Sequence, residues 1–239
     1  MIKIKSFDFK PGKVIRGKYE ILEKLGQGWE GEVYLVKELQ TGIDRAAKFF
    51  YPHRNLKGKT STAYAKKLHK LRHCDIIIQY YTQDTLYFGG TYIVFLISEF
   101  IAGELLSDFV KRQPGKRLQS FVALHLLHAL ASGIEDVHRV KEYHGDLHTN
   151  NIIVQRFGLR FDLKLVDLYK LDSSNGDHIK EDVIDLINIF YEILGGKKHY
   201  AKLPPEIKDI CCGLKHSLIL KKFKTAGKLK DYLENMEWD

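Results

Sequence analysis

The sequence of 239 residues has few of the features that mark special classes of protein. Its five prolines exclude a collagen-like chain, and its three cysteines, which include the neighbours Cys211 and Cys212, do not form the framework of a disulfide-stabilised domain. No apolar run reaches the roughly 18 residues that a membrane-spanning helix needs. The first residues also lack the apolar core of a secretory signal. We therefore expect a cytoplasmic protein with reduced thiols and no membrane span.

The spacing of apolar residues changes near residue 100. Before that point, short segments rich in β-branched and aromatic residues predict strands at Tyr19–Leu22, Val33–Val36, Ala46–Phe50, Ile76–Tyr81 and Tyr92–Ser98. One amphipathic helix is predicted among them, over Ser61–Arg72. The later part predicts helices at Leu105–Lys111, Phe121–Val140, Glu181–Leu194, Pro205–Gly213 and Thr225–Met236. The fold class is therefore α+β, with a β-rich first part and a helical second part.

A glycine-rich loop joins the first two predicted strands. Its sequence, GQGWEGEV, contains Gly26, Gly28, Gly31 and Val33. In a dinucleotide-binding fold such glycines lead into a helix, whereas here another strand follows. This order favours a hairpin whose main-chain amides approach the phosphates of a ligand, and a plain glycine hairpin is the alternative. Lys48, on the next predicted strand, could reach the same phosphates as a point charge.

The segment HGDLHTNN, from His144 to Asn151, and the later LVDLY around Asp167 complete a series of motifs. With the glycine-rich loop and Lys48, this series resembles the protein-kinase-like superfamily, and most closely the bacterial enzymes of the eukaryotic serine/threonine type. The resemblance extends over residues 19–233. It implies a single bilobal domain.

The expected domain covers residues 1–239. A small β-rich first lobe would take up residues 1–99 and a helical second lobe residues 100–239. The resemblance also implies ATP as the co-substrate and Mg²⁺ as the cofactor.

The resemblance implies a role for each matching residue. Asp146 matches the aspartate that accepts or orients the proton of an attacking hydroxyl, and His148 stands beside it in the same loop. Asn151 and Asp167 match the two ligands of Mg²⁺, a cation that prefers oxygen donors. The residues expected to contact the nucleotide are those of the glycine-rich loop, Lys48, and the main chain at Glu99 and Ile101. Asp182 matches a residue of the core helix that supports the catalytic loop.

The sequence also departs from the kinase pattern. The first-lobe helix should supply a glutamate to Lys48, but Tyr64 stands in that place. Gly145 replaces the arginine with which regulated kinases bind a phosphorylated activation loop. Only fifteen residues lead from Asp167 to Asp182, and no A-P-E sequence lies among them, so we expect a truncated activation segment. In that segment, Leu168 and Tyr169 replace the usual Phe-Gly.

His148 occupies the place of the usual catalytic-loop lysine, and the resulting string HGDLH is similar to that of aminoglycoside phosphotransferases. A histidine can still orient the γ-phosphate, with an effect that depends on pH. We favour a serine/threonine protein kinase that transfers the γ-phosphate of Mg-ATP to a protein hydroxyl. The alternatives are a small-molecule kinase, suggested by HGDLH, and an ATP-binding pseudokinase that acts as a scaffold, suggested by Tyr64.

Acidic residues are absent from one region of the chain. The sequence has 38 Lys and Arg against 30 Asp and Glu, a formal charge of +8, and residues 45–74 hold nine basic residues and no acidic one. A solvated helix surface beside the ATP site would explain this charge, and a docking face for an acidic partner is the alternative. No series of stacking aromatics accompanies it, so we expect no specific recognition of nucleic acid.

Overall fold

The computed structural model describes residues 3–168 and 175–237. Contacts divide the chain into two compact units. The first extends to Arg72 and includes Ile78–Ile101, and the second comprises His73–Ile77 and the residues from Ala102 onward. The predicted replacement at Tyr169 and the first part of the activation segment after it lie outside the described residues.

The first unit is built on one antiparallel sheet of six strands in the order β1-β2-β3-β4-β6-β5. The strands are β1 (Val14–Ile15), β2 (Tyr19–Gln27), β3 (Gly31–Glu38), β4 (Asp44–Phe50), β5 (Tyr80–Phe88) and β6 (Thr91–Glu99). Helix α1 (Lys59–Lys70) follows β4 in the chain, close to the predicted boundaries. Its last turn carries three basic side chains, which suit the partial negative charge of a helix C-terminus.

The pairing of β3 with β4 gives the sheet two chemically different faces. Val33 lies opposite Lys48, and Glu32 lies opposite Phe49. Because successive side chains of a strand point to opposite faces, Val33 and Lys48 share one face, and Glu32 and Phe49 share the other. The second face carries the aromatic core of the unit, which the N-terminal segment completes with three buried side chains, Ile4, Phe7 and Phe9.

The second unit is mainly helical and also has a three-stranded antiparallel sheet in the order β7-β8-β9. Its strands are β7 (Glu104–Leu105), β8 (Ile152–Phe157) and β9 (Arg160–Leu165). Its helices are α2 (Leu106–Arg112), α3 (Ser120–Arg139), α4 (Asn175–Ile193), α5 (Lys197–Tyr200), α6 (Pro205–Cys211), α7 (His216–Lys222) and α8 (Ala226–Asn235).

Helices α3 and α4 form the core of the second unit. The prediction that α4 is a buried core helix is confirmed, because Val183, Leu186, Ile187, Phe190 and Ile193 have almost no exposed surface. The apolar stripe of α3 is buried as well. The segment HGDLHTNN lies in the loop between α3 and β8 and forms hydrogen bonds with side chains of α4.

One difference from the predicted elements has a clear physical reason. The strand expected over Ile76–Tyr81 is wrong for its first four residues, because β5 begins only at Tyr80. Ile77 instead forms a single parallel bridge with Leu165, and a Cβ atom at Gly133 would lie only 2.3 Å from Ile76 Cδ1. These isoleucines are therefore core residues of the helical unit. Helix α7 was not expected from the sequence.

In the described part of the chain, no helix combines the length and the apolar character that crossing a membrane requires.

Candidate active site

The segment HGDLHTNN of the second unit is held by a buried carboxylate. Asp182, on α4, is fully buried and accepts hydrogen bonds from the main-chain N–H of His144 at 2.7 Å and of Gly145 at 2.9 Å. His138 Nε2, on α3, lies 3.0 Å from the same carboxylate. The prediction that Asp182 supports this loop is confirmed.

Glycine at position 145 has a conformational reason. Gly145 adopts a φ of 86°, in a region that side chains with a Cβ rarely enter. The side chain of His144 is also fixed, because its Nε2 lies 3.0 Å from the carbonyl oxygen of Val166. The loop therefore has a defined conformation on both sides of the candidate catalytic aspartate.

Three of the predicted site residues meet in this loop. The side chain of Asp146 is 54% exposed, and its Oδ2 accepts a hydrogen bond of 3.1 Å from Asn151 Nδ2. His148 Nε2 lies 3.6 Å from the same oxygen. Asn151, which is buried, also donates to the carbonyl oxygen of Asp146 at 2.9 Å. Asn151 thus orients a carboxylate that remains accessible from solvent.

Asp167, the fourth predicted residue of this unit, follows β9. The N–H of Val166 donates to the carbonyl oxygen of Asn151 at 3.0 Å, which places Asp167 next in the chain to a residue that is tied to the loop. Asp167 has a φ of 56°, a left-handed conformation that costs energy in a residue with a Cβ and is often found at functional sites.

The side-chain oxygens of Asn151 and Asp167 are of the type that binds a magnesium ion. The nitrogen of the Asn151 amide is used within the loop, so the side-chain oxygen is the atom that suits a cation. Asp167 adds a half-buried carboxylate. Amide and carboxylate oxygens are the hard donors that Mg²⁺ prefers.

A further acidic residue near this loop was missed from the sequence. Asp185 lies one turn after Asp182 on α4, and burial, together with the negative charge of Asp182, raises its pKa to about 7. The charge of Asp146 contributes in the same direction. The spacing of Asp182 and Asp185 on one helix was the available signal, because residues three apart share a helix face.

The first unit carries the glycine-rich loop between β2 and β3. Gly28 N–H donates to the carbonyl oxygen of Gly31 at 2.9 Å and closes the turn. A Cβ atom on Gly31 would lie 1.8 Å from the carbonyl oxygen of Phe49, so this position requires glycine for the close approach of β3 and β4. At Gly26 and Gly28 a Cβ atom would meet nothing within 4 Å.

Lys48 contacts one acidic and two aromatic side chains of the first unit, those of Glu30, Tyr64 and Phe50. Its Nζ lies 2.9 Å from Glu30 Oε2 and 4.4 Å from the centre of the Tyr64 ring. Tyr64 does lie on α1 and is buried, so the position expected for a helix glutamate presents an aromatic ring to the ammonium group. Sequence reasoning missed Glu30, although an acidic residue inside a glycine-rich loop was a visible signal.

The residues expected to meet adenine lie at the end of β6. Glu99 is fixed against Gln79 by two hydrogen bonds, one from its own N–H at 2.8 Å and one from the N–H of Gln79 to its carboxylate at 3.1 Å. Ser98 is buried before it, and Ile101 follows at the end of the first unit.

The basic residues of segment 45–74 are not equally exposed. Lys48 and Lys67 are largely enclosed. Lys59, Lys66 and Lys70 are exposed at a spacing that places them on one side of α1. The acidic partner of this face stays a prediction.

Comparison with known protein families matches residues 19–199 to the protein kinase domain. The chain is 26% identical over 208 residues to the inhibitor of nuclear factor kappa-B kinase subunit alpha of Danio rerio, an alignment that covers 83% of this chain and 27% of that protein. It is 30% identical over 204 residues to cyclin-dependent kinase 9 of Danio rerio, covering 79% and 52%. Cyclin-dependent kinase B2-2 of Arabidopsis thaliana is 25% identical over 206 residues, covering 80% and 62%.

The chain thus spans less than two thirds of the length of these relatives. The bacterial type of kinase that the sequence resembles stays a prediction. The family match, in contrast, covers most of the chain and contains every candidate site residue from Gly26 to Asp167. The fold of the chain is α+β, as predicted, and the predicted enzyme class, a kinase, is the class of the family that it matches. The chain therefore belongs to the protein kinase family.

Proposed function

We propose that this chain is an active serine/threonine protein kinase that transfers the γ-phosphate of Mg-ATP to a protein hydroxyl. Protein kinase domains generally use ATP as the co-substrate. The observation that carries the proposal is the arrangement of Asp146, His148 and Asn151 in one loop, with Asp167 in its left-handed conformation after β9.

The exposed carboxylate of Asp146 is the group that receives the acceptor hydroxyl. With one oxygen held by Asn151, the carboxylate can orient the hydroxyl and accept its proton as the oxygen attacks phosphorus. His148 Nε2 lies 3.6 Å from Asp146 Oδ2. From this position the imidazole N–H can donate a hydrogen bond to a phosphate oxygen.

The remaining groups bind charge. Asn151 and Asp167 would hold Mg²⁺, which neutralises the phosphates when bound. Lys48 binds the phosphates of the nucleotide as a point charge, and the main chain of the loop at Gly26, Gly28 and Gly31 approaches them. The main chain at Glu99 and Ile101 and the side chain of Val33 would surround the adenine.

The test is phosphate transfer by the purified chain with Mg²⁺ and γ-labelled ATP, offered a panel of protein substrates and, separately, a panel of hydroxyl-bearing metabolites. We expect label on serine or threonine of proteins. Asp146→Asn should lower the rate about 100-fold or more, which is the usual contribution of a general base. Asp162→Asn is the matched control, because Asp162 is a carboxylate of the same unit, 43% exposed, that forms an ion pair with Arg160.

Each other outcome contradicts the proposal in a defined way. Label on metabolites alone would establish the small-molecule kinase instead. Stabilisation of the chain by ATP without any transfer would establish the pseudokinase. Equal rates for Asp146→Asn and Asp162→Asn would remove Asp146 from the mechanism.

A further inference from the structure

The kinase pattern requires a carboxylate beside the phosphate-binding lysine, and the helix that usually supplies it has none here. No acidic residue occurs anywhere between residues 45 and 74. At the helix position, Tyr64 is 7% exposed and places its ring 4.4 Å from Lys48 Nζ.

We propose that Glu30, in the glycine-rich loop, is the positioning residue that holds Lys48 in place of the missing helix glutamate. This inference rests on the proposed function, because it assumes that Lys48 binds the phosphates of ATP. It moves the carboxylate of the ion pair from α1 to the loop between β2 and β3.

The geometry of the ion pair supports this role. Glu30 Oε2 lies 2.9 Å from Lys48 Nζ, and the two side chains are 25% and 13% exposed. Attraction between partly buried charges is screened less than attraction between charges on an open surface. The ring of Tyr64 lies 4.4 Å from the ammonium group, so a cation–π contact adds to the ion pair.

The loop that carries Glu30 is itself anchored. The carbonyl oxygen of Glu30 accepts a hydrogen bond of 2.8 Å from the N–H of Tyr51, just after β4. The neighbouring Trp29 stacks on Arg54, whose guanidinium carbon lies 3.2 Å from the ring centre. Because main chain and neighbour are both tied to the segment after β4, the carboxylate reaches Lys48 from a fixed position.

Transposing the charge tests this inference. Glu30→Gln removes the carboxylate with little change of shape, Tyr64→Glu places one on α1, and the double variant moves it from the loop to the helix. Glu23→Gln is the matched control, because Glu23 is an exposed glutamate on β2 of the same sheet. Melting temperatures of all variants confirm that the chain is folded.

We expect Glu30→Gln to lower kcat/KM for ATP about tenfold, the effect of losing roughly one ion pair, and Glu23→Gln to leave it unchanged. The double variant should recover most of that loss, because Tyr64→Glu restores beside Lys48 the negative charge that Glu30→Gln removes. A higher kcat/KM in Glu30→Gln would overturn the inference and show that Glu30 competes with the phosphates for Lys48. Failure of the double variant to recover any activity, while it remains folded, would overturn it as well.

A second readout separates this inference from the proposed function. The rate at which an amine-reactive succinimidyl ester labels Lys48, measured by mass spectrometry, needs no turnover. A carboxylate beside the ammonium group stabilises the protonated, unreactive form. We therefore expect faster labelling of Lys48 in Glu30→Gln and slower labelling again in the double variant, even if the chain transfers no phosphate. An unchanged labelling rate would contradict the role proposed for Glu30 and would leave the proposed kinase function untouched.

Discussion

Replacing Glu32 by glutamine should destabilise the first unit strongly, although the residue lies outside the candidate site. Glu32 is fully buried, directly after the glycine-rich loop. Its carboxylate accepts hydrogen bonds from Ser6 Oγ at 2.8 Å, Phe7 N–H at 3.2 Å, Tyr51 OH at 3.0 Å and Tyr34 OH, and it lies 3.1 Å from Lys24 Nζ. It therefore ties the N-terminal segment to β3 and to the end of β4.

The magnitude follows from these contacts. Glutamine keeps one acceptor oxygen but loses the charge and the second oxygen, and a hydrogen bond to a charged group contributes about 1.5–3 kcal/mol. Losing one to two of them gives a destabilisation of about 3 kcal/mol. For a chain of this size each kcal/mol corresponds to roughly 2–4 °C, so the melting temperature should fall by about 6–12 °C.

The assay is thermal unfolding followed by circular dichroism at pH 7, with Glu23→Gln as the control. The same measurement at lower pH is a second test. Burial raises the pKa of Glu32, but the hydrogen bonds from Tyr34, Ser6 and the other donors outweigh it and hold the pKa below the usual 4.5. The stability that ionised Glu32 contributes is thus present above pH 4.5 and is lost as the pH falls through its lowered pKa. The difference between wild type and Glu32→Gln should shrink there. A melting temperature of Glu32→Gln equal to that of Glu23→Gln at pH 7 would refute the reasoning.

Two further substitutions test other parts of the structure. Asp185→Asn should raise the melting temperature at pH 8 and have little effect at pH 4: burial and the charge of Asp182 raise the pKa of Asp185 from 3.8 to about 7, so its ionisation destabilises the fold progressively between those values. Equal shifts at both pH values would contradict this. Gly31→Ala should destabilise the chain by several kcal/mol, because the added Cβ would lie 1.8 Å from the carbonyl oxygen of Phe49. Gly28→Ala, where no atom lies within 4 Å, should melt close to the wild type, and equal melting of the two variants would exclude a clash at Gly31.

The long helices α3 and α4 and the motif loop could be predicted because their signals are local. The apolar stripe of α3, the almost continuous apolar run of α4 and the string HGDLHTNN are readable from residues close in sequence. Ile76 and Ile77 show the limit of such reasoning. An apolar β-branched run predicts a strand, but their partners, Gly133 and Leu165, are distant in the chain.

The N-terminal segment shows a second limit. Its composition, with lysines among isolated aromatic residues, gave no sign that Phe7 and Phe9 complete the aromatic core of the first unit. The buried carboxylate of Glu32 fixes this segment, and a glutamate in a strand next to a glycine-rich loop reads as a surface residue. A charged side chain can be buried only where hydrogen-bond donors surround it, and folding brings those donors together from distant parts of the chain.

The sequence by itself determined the family, the order of the site residues and the absence of a carboxylate on α1, because these depend on residue identity and spacing. Only the tertiary structure decided where the replacement carboxylate lies. Glu30 and Lys48 are eighteen residues apart, and the pairing of β3 with β4 brings them to 2.9 Å. An ion pair depends on distance in space, and that distance is set by strand register and by the anchored turn rather than by the motif itself.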